Sequence, residues 1–231
     1  SDAGAIAAGG DATRNAGNNI NSDTVDSEGN VLFTAVNNID AGFINSQGDI
    51  SLIAGYDITS AGANAAGKIL LSSTNGTTAA DGGVITLNGV LTSQSSSKQA
   101  VVVGTEGIFN NQAGSNAIST PNGNWQVYSY SPVTDTFQEL KSGNLAQWGH
   151  TYTAGLMSFT TDTDDTIGLG HYIFQVQPTI TVKANDSTKL YGITSSGSGV
   201  STSVDAMVDG SSLLDYDVFT DSENITSVSS D

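Results

Sequence analysis

Apolar and polar residues alternate along this chain in short runs, and the runs recur. In "GNVLFTAVNNID" (29–40) the apolar series is Val31, Phe33 and Ala35; in "GDISLIAGYDIT" (48–59) it is Ile50, Leu52 and Ala54. A third run carries Ile69 and Leu71. A fourth begins at Val84, where the alternation slips to Ile85 and Leu87. Period-two alternation over short runs bounded by Gly and Asn predicts strands. Residues 1–124 show no sustained helical spacing. The intervening "NSQGD", "NAAGK" and "TAADGG" carry turn chemistry, with Gly and Asn supplying positive φ.

The recurrence has a period. Gly-x-Val/Ile stands at Gly29–Val31, Gly48–Ile50, Gly67–Ile69 and Gly82–Val84, at spacings of 19, 19 and 15, and Gly4–Ile6 reads as an earlier copy. A second phrase is interleaved, "AGNNI", "AVNNI" and "AGYDI", with Ile20, Ile39 and Ile58 also 19 apart. A fixed period near 20 means a repeat architecture. Stacked copies of two or three short strands pair with their counterparts at ~4.8 Å per step. The predicted fold is all-β, a right-handed parallel β-helix with its core at Val31, Ile39, Ile50, Ile58, Ile69 and Leu71. About six coils would span on the order of 30 Å. A leucine-rich repeat would need a Leu-x-x-Leu-x-Leu frame, which is absent. A calcium-binding nonapeptide roll would need tandem Gly-Gly-x-Gly-x-Asp, of which "GGD" at 9–11 is a single fragment.

Composition changes near residue 121. Residues 1–124 hold Phe33, Phe43, Tyr56 and Phe109 as their aromatics. Residues 125–178 hold Trp125, Tyr128, Tyr130, Phe137, Trp148, Tyr152, Phe159, Tyr172 and Phe174. A solenoid's last coil exposes an apolar face, so 125–178 is expected to be an aromatic-rich β cap and connector. The rival reading is a sugar-stacking platform with Trp125 and Trp148 exposed. Residues 179–231 read as a partial β module or an acidic, partly disordered tail, since 205–231 has acids and no base.

Charge narrows the partners. The formal charge is −17, from 23 acids against six bases. Nucleic acid and anionic membrane surfaces are disfavoured, since both need clustered Lys and Arg. Charged residues are 13%, about half the usual ~25%, and Ser, Thr, Asn and Gly supply the polarity. Stacked charges repel, whereas stacked Asn, Ser and Thr can hydrogen-bond. There is no Cys, which removes disulfides, thiolate nucleophiles and Cys-based metal sites. No run approaches the ~20 apolar residues of a membrane helix. Residues 1–20 lack a basic stretch followed by an apolar one, so no signal peptide is expected there.

"GNVLFTAVNNI" and "GDISLIAGYDI" resemble coils of filamentous-haemagglutinin-type adhesins, the large passengers of two-partner secretion in Gram-negative bacteria. The resemblance covers roughly residues 4–120. "NWQVYSYSPVTDTF" and "GHYIFQVQPTITVKANDSTKLYG" (170–192) are similar to the region that follows the β-helix in such adhesins. There a Trp-containing strand and a Pro-x-Ile/Leu-Thr-Val-x-Ala…Lys-x-Tyr-Gly phrase open small β repeats of the MBG type. The matching residues are Trp125, Val127, Tyr128, Ser129, Pro178, Thr181, Val182, Ala184, Lys189, Tyr191 and Gly192. The family's phrase opens a full domain, whereas little chain follows it here, so the sequence reads as part of a longer protein. The resemblance implies an extracellular, cell-surface role and a non-enzymatic stalk. It also implies host or neighbouring-cell glycans or proteins as partners, and an outer-membrane transporter during export.

Candidate chemistry is sparse. "TDTDDT" gathers Asp162, Asp164 and Asp165, an arrangement hard cations such as Ca²⁺ can use, but without the rest of an EF-hand loop. His150 and His171 are the only histidines, so a zinc site would need both plus a carboxylate. No Gly-x-Ser-x-Gly elbow is present. Asn75, Asn185 and Asn224 begin Asn-x-Ser/Thr triplets. The enzyme alternative is a β-helical polysaccharide lyase or hydrolase. A lyase needs a base beside a bound uronate, and residues 1–124 offer Arg14, Lys68 and Lys98. A hydrolase needs facing carboxylates, for which Asp40, Asp49, Asp57 and Asp81 are the candidates. An ice-binding face would need a flat Thr ladder, and Thr34, Thr59, Thr74 and Thr86 do not keep one offset.

Overall fold

The computed structural model describes residues 4–75, 81–142, 146–152, 170–176, 182–184 and 200–202. Its first coil is β1 (Ile6–Ala8), β2 (Ala12–Ala16) and β3 (Ile20–Ser22). The second is β4 (Val25–Ser27), β5 (Val31–Ala35) and β6 (Ile39–Ala41). The third is β7 (Ile44–Ser46), β8 (Ile50–Ala54) and β9 (Ile58–Ser60). The fourth is β10 (Ala63–Ala65), β11 (Ile69–Ser73) and β12 (Val84–Leu87). The fifth is β13 (Leu91–Ser93), β14 (Val101–Gly104) and β15 (Ile108–Asn111). β16 (Ile118–Ser119) and β17 (Trp125–Ser129) begin a sixth. Then come β18 (Ala146–Trp148), β19 (Gly170–Phe174), β20 (Val182–Ala184) and β21 (Val200–Thr202).

Equivalent strands pair in parallel and stack into three sheets, so the chain winds as a parallel β-helix. Sheet A runs β1-β4-β7-β10-β13-β16, and sheet C runs β15-β12-β9-β6-β3. Sheet B is the longest, β18-β19-β17-β14-β11-β8-β5-β2. The described residues contain no helix.

The core is a set of columns, each holding one residue per coil. In sheet C, Ile20, Ile39, Ile58 and Ile85 lie on one another. In sheet B, Val31, Ile50, Ile69 and Val101 do the same. Val31, Ile39, Ile50, Ile58, Ile69 and Leu71 are all buried in one continuous cluster. Arg14 breaks the pattern. It pairs with Phe33 at an inward register position of the first coil, and its guanidinium turns aside to donate to the Asn21 carbonyl at 3.2 Å.

The corners carry ladders of their own. The backbone N–H of Asn30 donates to Asp11 Oδ1, that of Asp49 to Asn30 Oδ1 and that of Lys68 to Asp49 Oδ1, at 2.7, 2.8 and 2.7 Å. At the next corner Asn38, Asp57 and Val84 donate in the same way to Asn19, Asn38 and Asp57. The glycine of the repeated phrase follows from this. A Cβ at Gly48 would come within 2.4 Å of Asn30 Oδ1, and one at Gly67 within 2.0 Å of Asp49 Oδ1. Glycine therefore leaves room for the ladder side chain of the coil before.

Two repeat assignments are corrected. Gly82–Val84 is not the next copy of Gly67–Ile69: β12 lies in sheet C with Ile85 on Ile58, and the residue above Ile69 is Val101. Gly4–Ile6 is not an earlier copy either, since Ile6 pairs with Val25 in sheet A. The period stretches because corners, which bury little, accept extra residues while strands do not. Trp125 is corrected too. It is buried, edge-on to Tyr172 at 5.2 Å, and cannot serve as an exposed stacking surface.

Sheet B does not stop at 124. β17 lies on β14, β19 on β17, and β18 on β19, so the chain reaches the outermost rung at β18 before filling the rung beneath it with β19. Tyr172 sits at the centre of this end, against Phe137 at 4.7 Å, with its hydroxyl donating to the Leu140 carbonyl at 2.7 Å. Thr136 bridges Asn110 and extends sheet C by a residue. Outside sheet B, Tyr152 donates to Ser72 Oγ at 2.7 Å and lies where a Cβ at Gly104 would be, 2.1 Å from its ring. β20 and β21 pair antiparallel, a different architecture from the coils.

Ile50→Asp should cost several kcal/mol, because an unpaired carboxylate would be buried between Val31 and Ile69. Asn30→Ala, which removes one ladder acceptor, should cost about 1 kcal/mol. Thermal melts by circular dichroism read both; a wild-type melt for Ile50→Asp would remove Ile50 from the core.

Candidate functional site

The hydrolase candidates do not converge. Asp49 and Asp57 sit at corners and accept backbone N–H groups of the next coil, so their carboxylates are parts of the ladders. Asp81 lies at the same sheet B to sheet C corner as Asp57, in the following coil and beside Glu106, whose carboxyl is pushed up by burial and then by the Asp81 charge. Asp40 faces outward from β6, paired in register with Asn21 and Thr59. Among the described residues no three His, Asp or Glu side chains are gathered to hold a metal. Asp162, Asp164 and Asp165 lie outside the described residues. His171 is buried in β19, and the backbone N–H of His150 donates to the Phe174 carbonyl.

The aromatic segment is turned inward. Trp125, Phe137, Tyr172 and Phe174 belong to the main core, while Tyr128 and Tyr152 pack together with Val102 and Ile173 on the outer face of sheet B. Trp148 is half-buried, 4.8 Å from Phe174. Among the described residues, the exposed aromatic rings are on the coils instead: Phe43 and Tyr56 are 45% and 46% exposed.

One surface feature combines volume with polar side chains. At the corner between sheets C and A a groove of about 660 Å³ runs across several coils. One wall is the outward column Asn21, Asp40 and Thr59. Asp23 and Thr24 face it, Gly42 and Ala61 leave the middle open, and Asn88 closes one end. Phe43 follows Gly42 and occupies the corner position of Thr24 one coil further, as the hydrogen bonds Ile6 to Thr24 and Val25 to Phe43 establish. A Cβ on Gly62 would come 3.3 Å from the Phe43 ring, so the ring leans over the glycine in the following coil. The period of 19 that aligns Asn21 with Asp40 was visible in the sequence, but attention to apolar columns passed over the polar ones.

A half-buried Asp with its carboxyl hydrogen-bonded into the protein was also missed. Asp135 turns its oxygens inward, one accepting from the Phe109 N–H at 2.9 Å and the other from the Ser129 hydroxyl. Loss of hydration pushes this carboxyl up to about 8, against the pull of both hydrogen bonds. A single Asp in a polar turn gives no signal of this.

No protein-family model, curated protein or solved structure matches the chain. Fold and site therefore stand on the structure itself.

Asp135 gives a pH prediction. Its folded value lies above its ordinary one, so the stability it contributes is full below about pH 4 and is lost as the pH rises toward 8. Wild type should therefore melt lower at pH 8.5 than at pH 5, and Asp135→Asn should flatten that difference. Equal pH slopes in the two proteins would show that Asp135 does not titrate in this window.

Proposed function

We propose that this chain is an extracellular structural and adhesive segment of a large bacterial surface adhesin, exported across a Gram-negative outer membrane by a transporter partner. The β-helix acts as a stiff stalk that presents binding regions to host or neighbouring cells. One observation supports this above the others: a single hydrophobic cluster runs from Ala12 to Phe174 through the stacked coils. In-register backbone ladders and one shared core make bending costly, because bending must open several rungs at once. Asp49 and Asp57 are committed to the corner ladders and Asp40 stands on a separate strand face, which supports a stalk over a hydrolase, whose two carboxylates must face one bond. The repeat phrases and the Trp-containing strand carry the likeness to filamentous-haemagglutinin-type adhesins.

The test is adhesion. Beads coated with the purified chain should adhere to epithelial cells or extracellular matrix above albumin-coated beads, with no release of reducing sugar from polysaccharide substrates. Sugar release would replace the stalk with an enzyme. Absence of adhesion and of sugar release together would remove the adhesive part of the reading.

A further inference from the structure

We infer that the groove between sheets C and A binds an extended, uncharged glycan chain. This rests on the adhesive reading above and gives it a site and a ligand class. The argument begins with shape. The groove holds about 660 Å³, within the range of small-ligand sites, and is open along the solenoid axis, so it suits a chain lying in it better than a compact molecule. The openness has a cause in the sequence. Gly42 and Ala61 stand where larger side chains would fill the corner.

Chemistry narrows the ligand. Asn21, Asp40 and Thr59 lie in register on neighbouring strands, repeating at ~4.8 Å. Amide, carboxylate and hydroxyl in line offer donors and acceptors at regular steps, which suits a polymer with hydroxyls on each unit. Asp23, Thr24 and Asn88 add to this from the other side and the end. The exposed Phe43 ring, at the same corner and next to the groove residue Gly42, supplies an apolar face for the C–H side of a sugar ring. Its exposure contrasts with Trp125, Tyr128, Phe137, Tyr152, Tyr172 and Phe174, which are buried.

Charge excludes other classes. Asp23 and Asp40 line the groove, no Lys or Arg does, and the chain carries −17. Uronates and sulfated glycans would be repelled there. Two carboxylates facing solvent in an open groove also do not make a cation site.

The experiment is titration of the full chain, by calorimetry or saturation-transfer NMR, with hexasaccharides of three kinds: neutral glucose or mannose oligomers, glucosamine oligomers and galacturonate oligomers. CaCl₂ alone is titrated in parallel. At least one neutral oligomer should bind, with little dependence on salt, and galacturonate should not. Thr59→Arg, which fills the groove from an outward strand position, should abolish binding. Phe43→Ala should weaken it about tenfold. Tyr56→Ala removes the other exposed coil aromatic, away from the groove, and should leave binding unchanged. Circular dichroism melts confirm that each variant is folded.

Several outcomes overturn the assignment: no neutral oligomer binding at millimolar concentration, binding only of glucosamine oligomers, a response to Ca²⁺ alone, or undiminished binding in folded Thr59→Arg. The adhesive reading fails separately. Coated beads that still adhere while no glycan binds would place recognition elsewhere on the chain. Glycan binding without bead adhesion would keep the groove and remove the adhesin.

Discussion

Through the first three coils, and in sheets A and B of the fourth, each paired strand residue lies on the residue nineteen positions away, and this register governs the rest of the molecule. An identical offset for backbone and side chain means that every position must tolerate its own kind as a neighbour. Apolar columns become continuous, as in Ile20, Ile39 and Ile58. Polar columns must hydrogen-bond upward or be neutral. The corner column Asp11, Asn30, Asp49 and Lys68 shows the solution, for neutral Asn30 separates its two carboxylates and basic Lys68 follows the second. Asp26, Asn45 and Asn64 follow it on sheet A, with both Asn amides donating to the side chain in the coil before. A chain with 23 acids can stack because directly superposed acids are avoided in these columns.

The same constraint organises the ends and the surface. A stacked core has to stop somewhere, and the two ends stop it differently. At the first coil Arg14 occupies a core register position and sends its charge to a backbone carbonyl. At the other end Trp125, Phe137, Tyr172 and Phe174 close over the last rungs, and β18 and β19 add two strands to sheet B in reversed chain order. Between the ends, the polar columns form walls whose spacing is set by the strands. The groove between sheets C and A is one such wall pair, opened by Gly42 and Ala61. Stiffness and periodic surface chemistry therefore come from one source, and both suit a stalk that also makes contact.

Much of the fold was legible in the sequence because strands announce themselves by alternation. Val31, Ile50 and Ile69, and Ile39 and Ile58, could be set in core columns from spacing alone. The register beyond Ser73 could not. The Gly-x-Val phrase at 82–84 imitates the earlier copies, yet Val84 belongs to sheet C and is only half-buried, while Ile85 carries the core position. Corner length decides that register, and corner residues carry no hydrophobic signal. The aromatic residues misled in another way. Their concentration in 125–178 was consistent with a cap or with a ligand platform, and only packing distinguishes the two. Asp135 was invisible for the same reason, since its character depends on Ser129 and Phe109 folding over it.

The central claim is that the coils stay stacked through the change of period, and cross-linking tests it most directly. The chain has no Cys, so introduced pairs report without background. Asn64 and Thr92 are outward register partners on sheet A, whereas Ser73 and Thr92 would be partners if the period of 19 continued. The account predicts that Asn64→Cys/Thr92→Cys forms a disulfide under mild oxidation in the folded protein and that Ser73→Cys/Thr92→Cys does not. Cross-linking of the second pair and not the first would contradict it.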